Sequence, residues 1–590
     1  MKKFIKRILF IAFGTILGAG IIAGVSIGTL VVISKRAYQS KVPSRLSPNT
    51  VLRLSLHGQL VETITTPLLP VLDQEKPHEL DMLVIRQAIQ AAQHDTHIKG
   101  IYMDVEGLSG GWASLLELRN MLAAFKRTGK FIVAYGADYT SKSYYIAALA
   151  DEIVLHPSGS FMFTGLQLTT LFYKGLLDKL DISAQIFRVG RYKSATEPFT
   201  RYSMSSASRD QYATLLQNTY SHLLQAISKA RNITPTALQQ WASRLSVIQP
   251  RKAYQANLFT KIGYASDAEQ LVKTKLALPA DGKVNYLDYQ AYSSYVEKHI
   301  PEPSSSHEIA VLIAAGPIVE EEVVGMKHIA ANAFVKKLKE LREDASVKAV
   351  VIRIDSPGGS ALASDTIWKE IMLTRKHKPV VASMGDVAAS GGYYIAAGCD
   401  HILAQPTTIT GSIGIFAMYL DTHAFLKGKL GIVGDVVKTN PSADLFNPTR
   451  PLTAHEKQVI QQSVDDGYDT FLSRVATGRN MKKEVVAGLG EGRVWPGNLA
   501  KKHGLVDELG GLDKAIRKAA SLANVQSYQV DYWPKPRINW IRQLLRDLQY
   551  KSDLLNTALF FSYHHVLTSL EALAWRQGLQ AWWPYVVEIE

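Results

Sequence analysis

The chain reads as an α/β protein made of two tandem copies of one domain. Two observations predict this. The first is an internal repeat whose members lie roughly 250 residues apart and keep the same order. Residues 52–62 (LRLSLHGQLVE) echo residues 310–320 (AVLIAAGPIVE), and 101–104 (IYMD) before Gly110 and Gly111 echo 352–355 (IRID) before Gly358 and Gly359. The run YYIAA at 144–148 returns at 393–397, and Asn257-Leu258 with Gly263 returns as Asn498-Leu499 with Gly504. One such pair could arise by chance; four in register mark a duplication. The second observation is that short apolar runs alternate with stretches of helical periodicity, the pattern of buried, mostly parallel strands covered by helices. With 590 residues, the chain is also too long for a single core.

At the amino terminus, residues 8–34 carry no charge, enough to cross a bilayer as a helix. Lys2, Lys3, Lys6 and Arg7 precede the run, against Lys35 and Arg36 after it, a bias that favours a cytoplasmic amino terminus. No Ala-x-Ala site closes the run, so an uncleaved anchor over 1–44 is expected rather than a signal peptide. Glycines at 14 and 18, and at 20, 24 and 28, have the spacing that allows close helix contact.

The first repeat is placed at 45–300 and the second at 301–529, joined by the polar stretch 298–307 with its two prolines and three serines. In the second repeat, residues 350–354 read as a buried strand interrupted only by Arg353. Residues 364–374 read as a helix, and 379–383 as the next strand. After about Tyr528 the composition shifts to a tail, 530–590, rich in tryptophan and basic residues. Its segments 538–548 and 554–573 read as amphipathic helices suited to a membrane surface, an oligomer interface or the protein's own surface.

A formal net charge of +14 is spread along the chain, and no nucleic-acid-binding spacing accompanies it, so anionic lipid is the better partner for it. The only cysteine, Cys399, excludes an intrachain disulfide and a thiolate metal cluster.

Chemistry concentrates at Gly385-Asp386-Val387-Ala388-Ala389-Ser390-Gly391-Gly392-Tyr393. An apolar strand runs into one serine on a sharp turn, and a helix starts behind it. Small neighbours leave the hydroxyl unshielded and let backbone N–H groups approach a substrate. A helix start capped by serine is the plainer reading of the same residues. The nucleophile would need a base. His401 and His423 follow it, but the order and spacing fit no evident Ser-His-Asp arrangement, and no acidic partner stands out beyond Asp400. A lysine can act only when neutral, which burial can achieve by lowering its pKa. Lys193 lies in a loop bracketed by Gly190 and Pro198, with Tyr192 and Phe199 available to dry it. On composition alone, a lysine there reads as a solvated surface residue.

Together with Asp355-Ser356-Pro357-Gly358-Gly359, Thr410-Gly411-Ser412-Ile413-Gly414, Gly190-Arg191-Tyr192-Lys193-Ser194-Ala195 and Gly492-Arg493-Val494-Trp495, the Ser390 segment resembles the signal peptide peptidase A (SppA) family, in its long duplicated bacterial form. The resemblance covers roughly residues 45–525 and the anchor. It implies ClpP/crotonase-like domains and a membrane-anchored serine protease with a Ser/Lys dyad. Ser390 would be the nucleophile and Lys193 the general base, each from a different repeat. Ser412 would orient Lys193, and the N–H groups of Gly359 and Gly391 would form the oxyanion hole. The implied substrates are signal peptides and other hydrophobic peptides. The implied setting is a homotetramer in the bacterial inner membrane with its catalytic domains in the periplasm, without metal or organic cofactor. The aromatic tail departs from the family pattern. A crotonase-like acyl-CoA enzyme and a non-catalytic membrane scaffold are the alternatives from other classes. Aligned on the YYIAA runs, Ser390 faces Ser141, but Lys142-Ser143 replaces the two glycines; Lys193 faces Lys438. An inactive relic pair, Ser141 with Lys438 between adjacent chains, is therefore expected.

Overall fold

The computed structural model describes residues 42–64, 78–299, 305–323 and 327–535, together with the backbone of a strand at 580–582. The expected anchor and the tail segments 538–548 and 554–573 lie outside the described residues. Among the described residues no helix is long and apolar enough to cross a membrane.

Each repeat forms a mainly parallel sheet. The first has the order Asn285–Asp288, Thr50–Ser55, Ile98–Asp104, Phe131–Thr140, Glu152–Met162, Lys261–Ile262, with every neighbouring pair parallel. The second runs Gln529–Trp533, Glu308–Ala315, Val347–Ser356, Val380–Ala389, Ile409–Gly411, Val494–Pro496, and only its last pair is antiparallel. His401–Ala404 pairs with the early part of Val380–Ala389 and is itself flanked by Glu508–Leu509. The second strand in each order begins its repeat, and the strand on its outer side ends it. The duplication seen in the sequence is therefore also a duplication of topology.

The helices repeat as well. Ser206–Arg231 and Ala454–Arg479 each hold 26 residues. Ser205 caps the first through the N–H of Ser208, and Thr453 with Glu456 forms a capping box on the second. Both end at an asparagine in the left-handed conformation, Asn232 and Asn480, where the short polar side chain tolerates positive φ. The expected helix of the second repeat spans Ala361–Thr374.

Each half has its own apolar core, but the halves are not separate bodies. Leu83 of the first repeat packs with Ile309, Val311 and Leu512 of the second, and Phe187 joins the second core. Between them, Tyr212 and Leu215 pack on Ala389, Ile409 and Val494. A small sheet in the first half has the order Glu79–Asp81, Gly58–Val61, Leu108–Ser109. Its counterpart, Ile329–Ala330, Ile318–Val319, Gly358–Ser360, continues through Gln580–Trp582 and Phe416–Asp421 to Ser183–Arg188, a strand of the first repeat.

Candidate active site

Ser390 follows the strand Val380–Ala389 and precedes the helix Gly391–Ala396. Its backbone sits at φ 55°, ψ −114°, a conformation that side-chain-bearing residues rarely adopt. Two hydrogen bonds hold it there: Ser390 N–H donates to Gly411 O at 2.8 Å, and Tyr394 N–H donates to Ser390 O at 2.8 Å. Sheet and helix thus fix the turn from both sides. Gly392 has no room for a side chain, since a Cβ there would lie 2.7 Å from Ser356 O. That contact brings the helix start against the segment leading into Gly358–Ser360.

Lys193 reaches this place because the strand Ser183–Arg188 crosses into the second half and pairs antiparallel with Phe416–Asp421. Beyond the strand, Val189 N–H donates to Ile415 O at 3.3 Å and Tyr192 N–H donates to Glu491 O at 3.0 Å. Gly190 makes the turn at φ 93°, pressed so closely on Glu491 that a Cβ would come within 2.3 Å of its carbonyl carbon. Gly492 lets the lysine seat itself: a Cβ there would lie 2.6 Å from Lys193 Cβ.

Lys193 Nζ then stands 2.8 Å from Ser390 Oγ, 3.1 Å from Ser412 Oγ and 3.3 Å from Ser412 O. Relative exposures are 0 % for Ser390 and Ser412 and 1 % for Lys193, so the cluster is sealed from bulk solvent. Burial brings the Lys193 amine down to about 7. Ser412 is itself held at φ 52°, with its N–H donating to Arg493 O at 2.7 Å. The geometry can do one thing plainly: move a proton between a serine hydroxyl and a lysine amine in a dry site.

Sequence reasoning missed several supporting residues. Gln211 donates to Tyr192 O at 3.1 Å and to Ser194 Oγ at 2.9 Å, and accepts from Val494 N–H at 3.2 Å, so it ties the lysine loop to the second half. The guanidinium of Arg493 lies 4.8 Å from the Tyr192 ring centre and 4.3 Å from that of Trp495. Asp386, four residues before Ser390, accepts from Ala113 N–H and Ser114 N–H, each at 2.9 Å, and from Ser114 Oγ. Burial, then the carboxylates of Asp386 and Glu62, push the nearby Asp355 carboxyl well above the usual range, against its hydrogen bond from Val387 N–H. None of these contacts has a local signature. The readable signal was Arg353, the one charge in the apolar run 350–354: it is buried against Glu62 and Glu117 of the first half, at 2.6 and 2.7 Å.

The remaining candidates fall elsewhere or have other neighbours. Gly391 opens the helix behind Ser390. Gly359 lies in the adjacent strand, paired with Ile318 so closely that a Cβ would sit 2.0 Å from Ile318 O. His401 stands beside Glu508 at 3.4 Å, and His423 beside Asp421 at 2.6 Å. Ser141 is the first residue of the helix Ser141–Ala147, behind the capping Thr140, and it lacks the positive φ of Ser390. Lys438 binds Asp444 Oδ1 at 2.9 Å and Pro441 O at 2.8 Å within its own loop.

Residues 124–278 and again 372–526 match peptidase family S49. The chain belongs to that family. Lys193 lies in the first S49 match, and Ser390 and Ser412 lie in the second. Residues 315–408, which include Gly359 and Ser390, match the Clp protease family, so the S49 duplication is a pair of tandem ClpP-like α/β domains. The relatives agree over most of the chain. Protease 4 of Haemophilus influenzae is 34 % identical over 539 residues, covering 88 % of this chain and 87 % of its own. Protease 4 of Salmonella typhi is 35 % identical over 78 % of this chain and 75 % of its own. The chloroplastic serine protease SPPA of Arabidopsis thaliana is 33 % identical over 82 % of this chain and 70 % of its own. This S49 member is a serine protease of the SppA type, as the resemblance in its motifs implied.

Proposed function

We propose that this protein is a membrane-anchored endopeptidase that degrades cleaved signal peptides and other hydrophobic peptides with a Ser390/Lys193 dyad. The observation that carries the reading is the 2.8 Å approach of Lys193 Nζ to Ser390 Oγ in a buried cluster built from both halves. With its amine near 7, about half of the lysine is neutral at neutral pH, the form a general base requires.

Neutral Lys193 takes the proton as Ser390 Oγ attacks the peptide carbonyl. The resulting ammonium is held by Ser412 Oγ and Ser412 O, which are acceptors suited to the charged form. The N–H groups of Gly391 and Gly359 stabilise the oxyanion, a contribution of about 3 kcal/mol for each such donor. Lys193 next gives its proton to the leaving amine. The acyl-enzyme is then cleaved by water, with Lys193 again as base. In this reading residues 45–300 supply the base and 301–529 the nucleophile, so activity requires the halves to be docked. Anchorage by residues 8–34 places the catalytic domains in the periplasm, on the basis of the larger basic cluster before that run. A homotetramer follows from the long SppA form that the motifs resemble.

The test is hydrolysis of a fluorogenic hydrophobic peptide ester from pH 6 to 10 by the detergent-solubilised full chain, Ser390→Ala and Lys193→Ala. Both variants should be folded and lose at least a thousandfold in kcat/KM, while the wild-type rate rises through a single pKa near 7 and then levels off. Full activity in Lys193→Ala would move the base elsewhere.

A further inference from the structure

The strand Gln580–Trp582 has a position that no part of the proposed chemistry uses. Its backbone pairs antiparallel with Gly358–Ser360, in the register Gly358 to Trp582, Gly359 to Ala581 and Ser360 to Gln580. On its other side Gln580 pairs antiparallel with Phe416. Both flanks belong to the candidate site. Gly358–Ser360 contains Gly359 and follows Ser356, which touches Gly392 at the helix start. Phe416 follows the turn 412–415 that holds Lys193 on one side and receives Val189 N–H on the other. The gap between these flanks is therefore where an extended peptide would have to lie to present a carbonyl to Ser390 by strand addition. Among the described residues, the matching small sheet of the first half ends at Leu108–Ser109, with nothing paired beyond it. The extra strand is thus confined to the half that carries the serine.

From this pairing we infer that the strand Gln580–Trp582 is an internal occupant of the substrate groove, which incoming peptides must displace. The inference rests on the peptidase reading above. It gives the tail, which the SppA resemblance leaves unexplained, a specific partner: the chain's own groove. The contact runs through backbone groups, so it is generic enough to be exchanged for a substrate strand. A tethered occupant competes at a high effective concentration, and its removal should change KM and leave kcat alone.

The experiment compares the full chain with a chain ending at Leu579 and with the full-length variant Ala581→Pro, which removes the central N–H of the strand and disfavours pairing. Hydrolysis of the fluorogenic peptide ester and the rate of Ser390 labelling by a peptidyl phosphonate are both followed. Both variants should show a KM at least fivefold lower, a kcat within twofold of wild type and correspondingly faster labelling. A synthetic peptide of residues 578–590 should restore the higher KM. Unchanged KM and labelling rates in both variants, with the wild type active, would overturn the inference and leave the peptidase reading intact. Absence of both turnover and labelling in all three folded proteins would instead overturn that reading, and the inference with it.

Discussion

Lys193 is held in a form that favours chemistry over stability. In an unfolded chain its amine titrates near 10.4; buried beside Ser390 it titrates at about 7. Below pH 7 both states carry the proton and the folded state bears the full penalty of a buried charge, on the order of 5 kcal/mol. Between about 7 and 10 the unfolded chain binds the extra proton, so this residue makes stability rise with pH across that window. Replacing it with methionine should abolish turnover and yet stabilise the fold by about 2 kcal/mol at pH 6.5, less than the full penalty because Ser390 and Ser412 lose a partner. The gain should fade by pH 10. Urea melts of wild type and Lys193→Met at pH 6.5, 8 and 10 measure the difference, and equal midpoints at pH 6.5 would contradict it.

Among the elements, the helix Trp112–Lys126 has a start that depends on the other half. Its N-cap is Gly111, which offers no side chain, and Asp386 supplies the missing acceptor from the strand that delivers Ser390. Gly111 must stay bare, because a Cβ there would lie 2.0 Å from Asp386 Cγ. The carboxylate also meets the positive end of the helix dipole. An N-cap acceptor is worth about 1–2 kcal/mol. Asp386→Ala should cost about that much stability and lower kcat more than it raises KM, because the strand carrying the nucleophile loses its anchor to the half carrying the base. Asp386→Asn keeps a carbonyl acceptor and should recover most of both. Thermal melts and steady-state kinetics on the two variants test this; equal damage in both would assign the effect to charge rather than to capping.

Over the whole molecule, a buried ion cluster locks the two repeats. Glu117 of the first half lies between Arg86 and Arg353 and accepts from Leu512 N–H at 2.8 Å; Arg353 also meets Glu62, and Arg86 meets Asp513. Burial alone would raise the Glu117 carboxyl, but the guanidiniums of Arg353 and Arg86 more than reverse this and hold it at about 2. Its contribution is therefore complete above the usual carboxylate pKa and is lost only as pH falls toward 2. Removing one partner leaves uncompensated buried charge, at about 3–5 kcal/mol. Glu117→Leu should lose that much stability and most activity, although it touches neither Ser390 nor Lys193. Replacing Glu117, Arg86, Arg353 and the buried Glu62 together with apolar residues, so that no buried charge is left without its partner, should restore stability beyond the single variant, as calorimetry would show.

Much of this was legible in the chain itself. The duplication follows from motifs that return in the same order, and the α/β alternation, the strand before Ser390 and the helix after it follow from local patterns: continuous apolar runs, period-3.6 hydrophobicity, and glycines where the backbone must turn. Those local patterns are set by residues within one or two turns of each other. Arg353 was a readable anomaly, a charge in an apolar strand, but its partners were not. Lys193 could be singled out only through the SppA resemblance, because nothing in its own segment distinguishes it from a solvated lysine. Its burial depends on Gly492, its hydrogen bonds on Ser412, and its position on a strand that crosses to Phe416–Asp421. The helix start at Gly111 and the groove pairing of Gln580–Trp582 likewise depend on residues far along the chain. The sequence by itself determined the repeats, their elements and the turn that exposes a serine. Only the tertiary structure decided which lysine is stripped of water beside it, because desolvation is a property of all the atoms that surround a group.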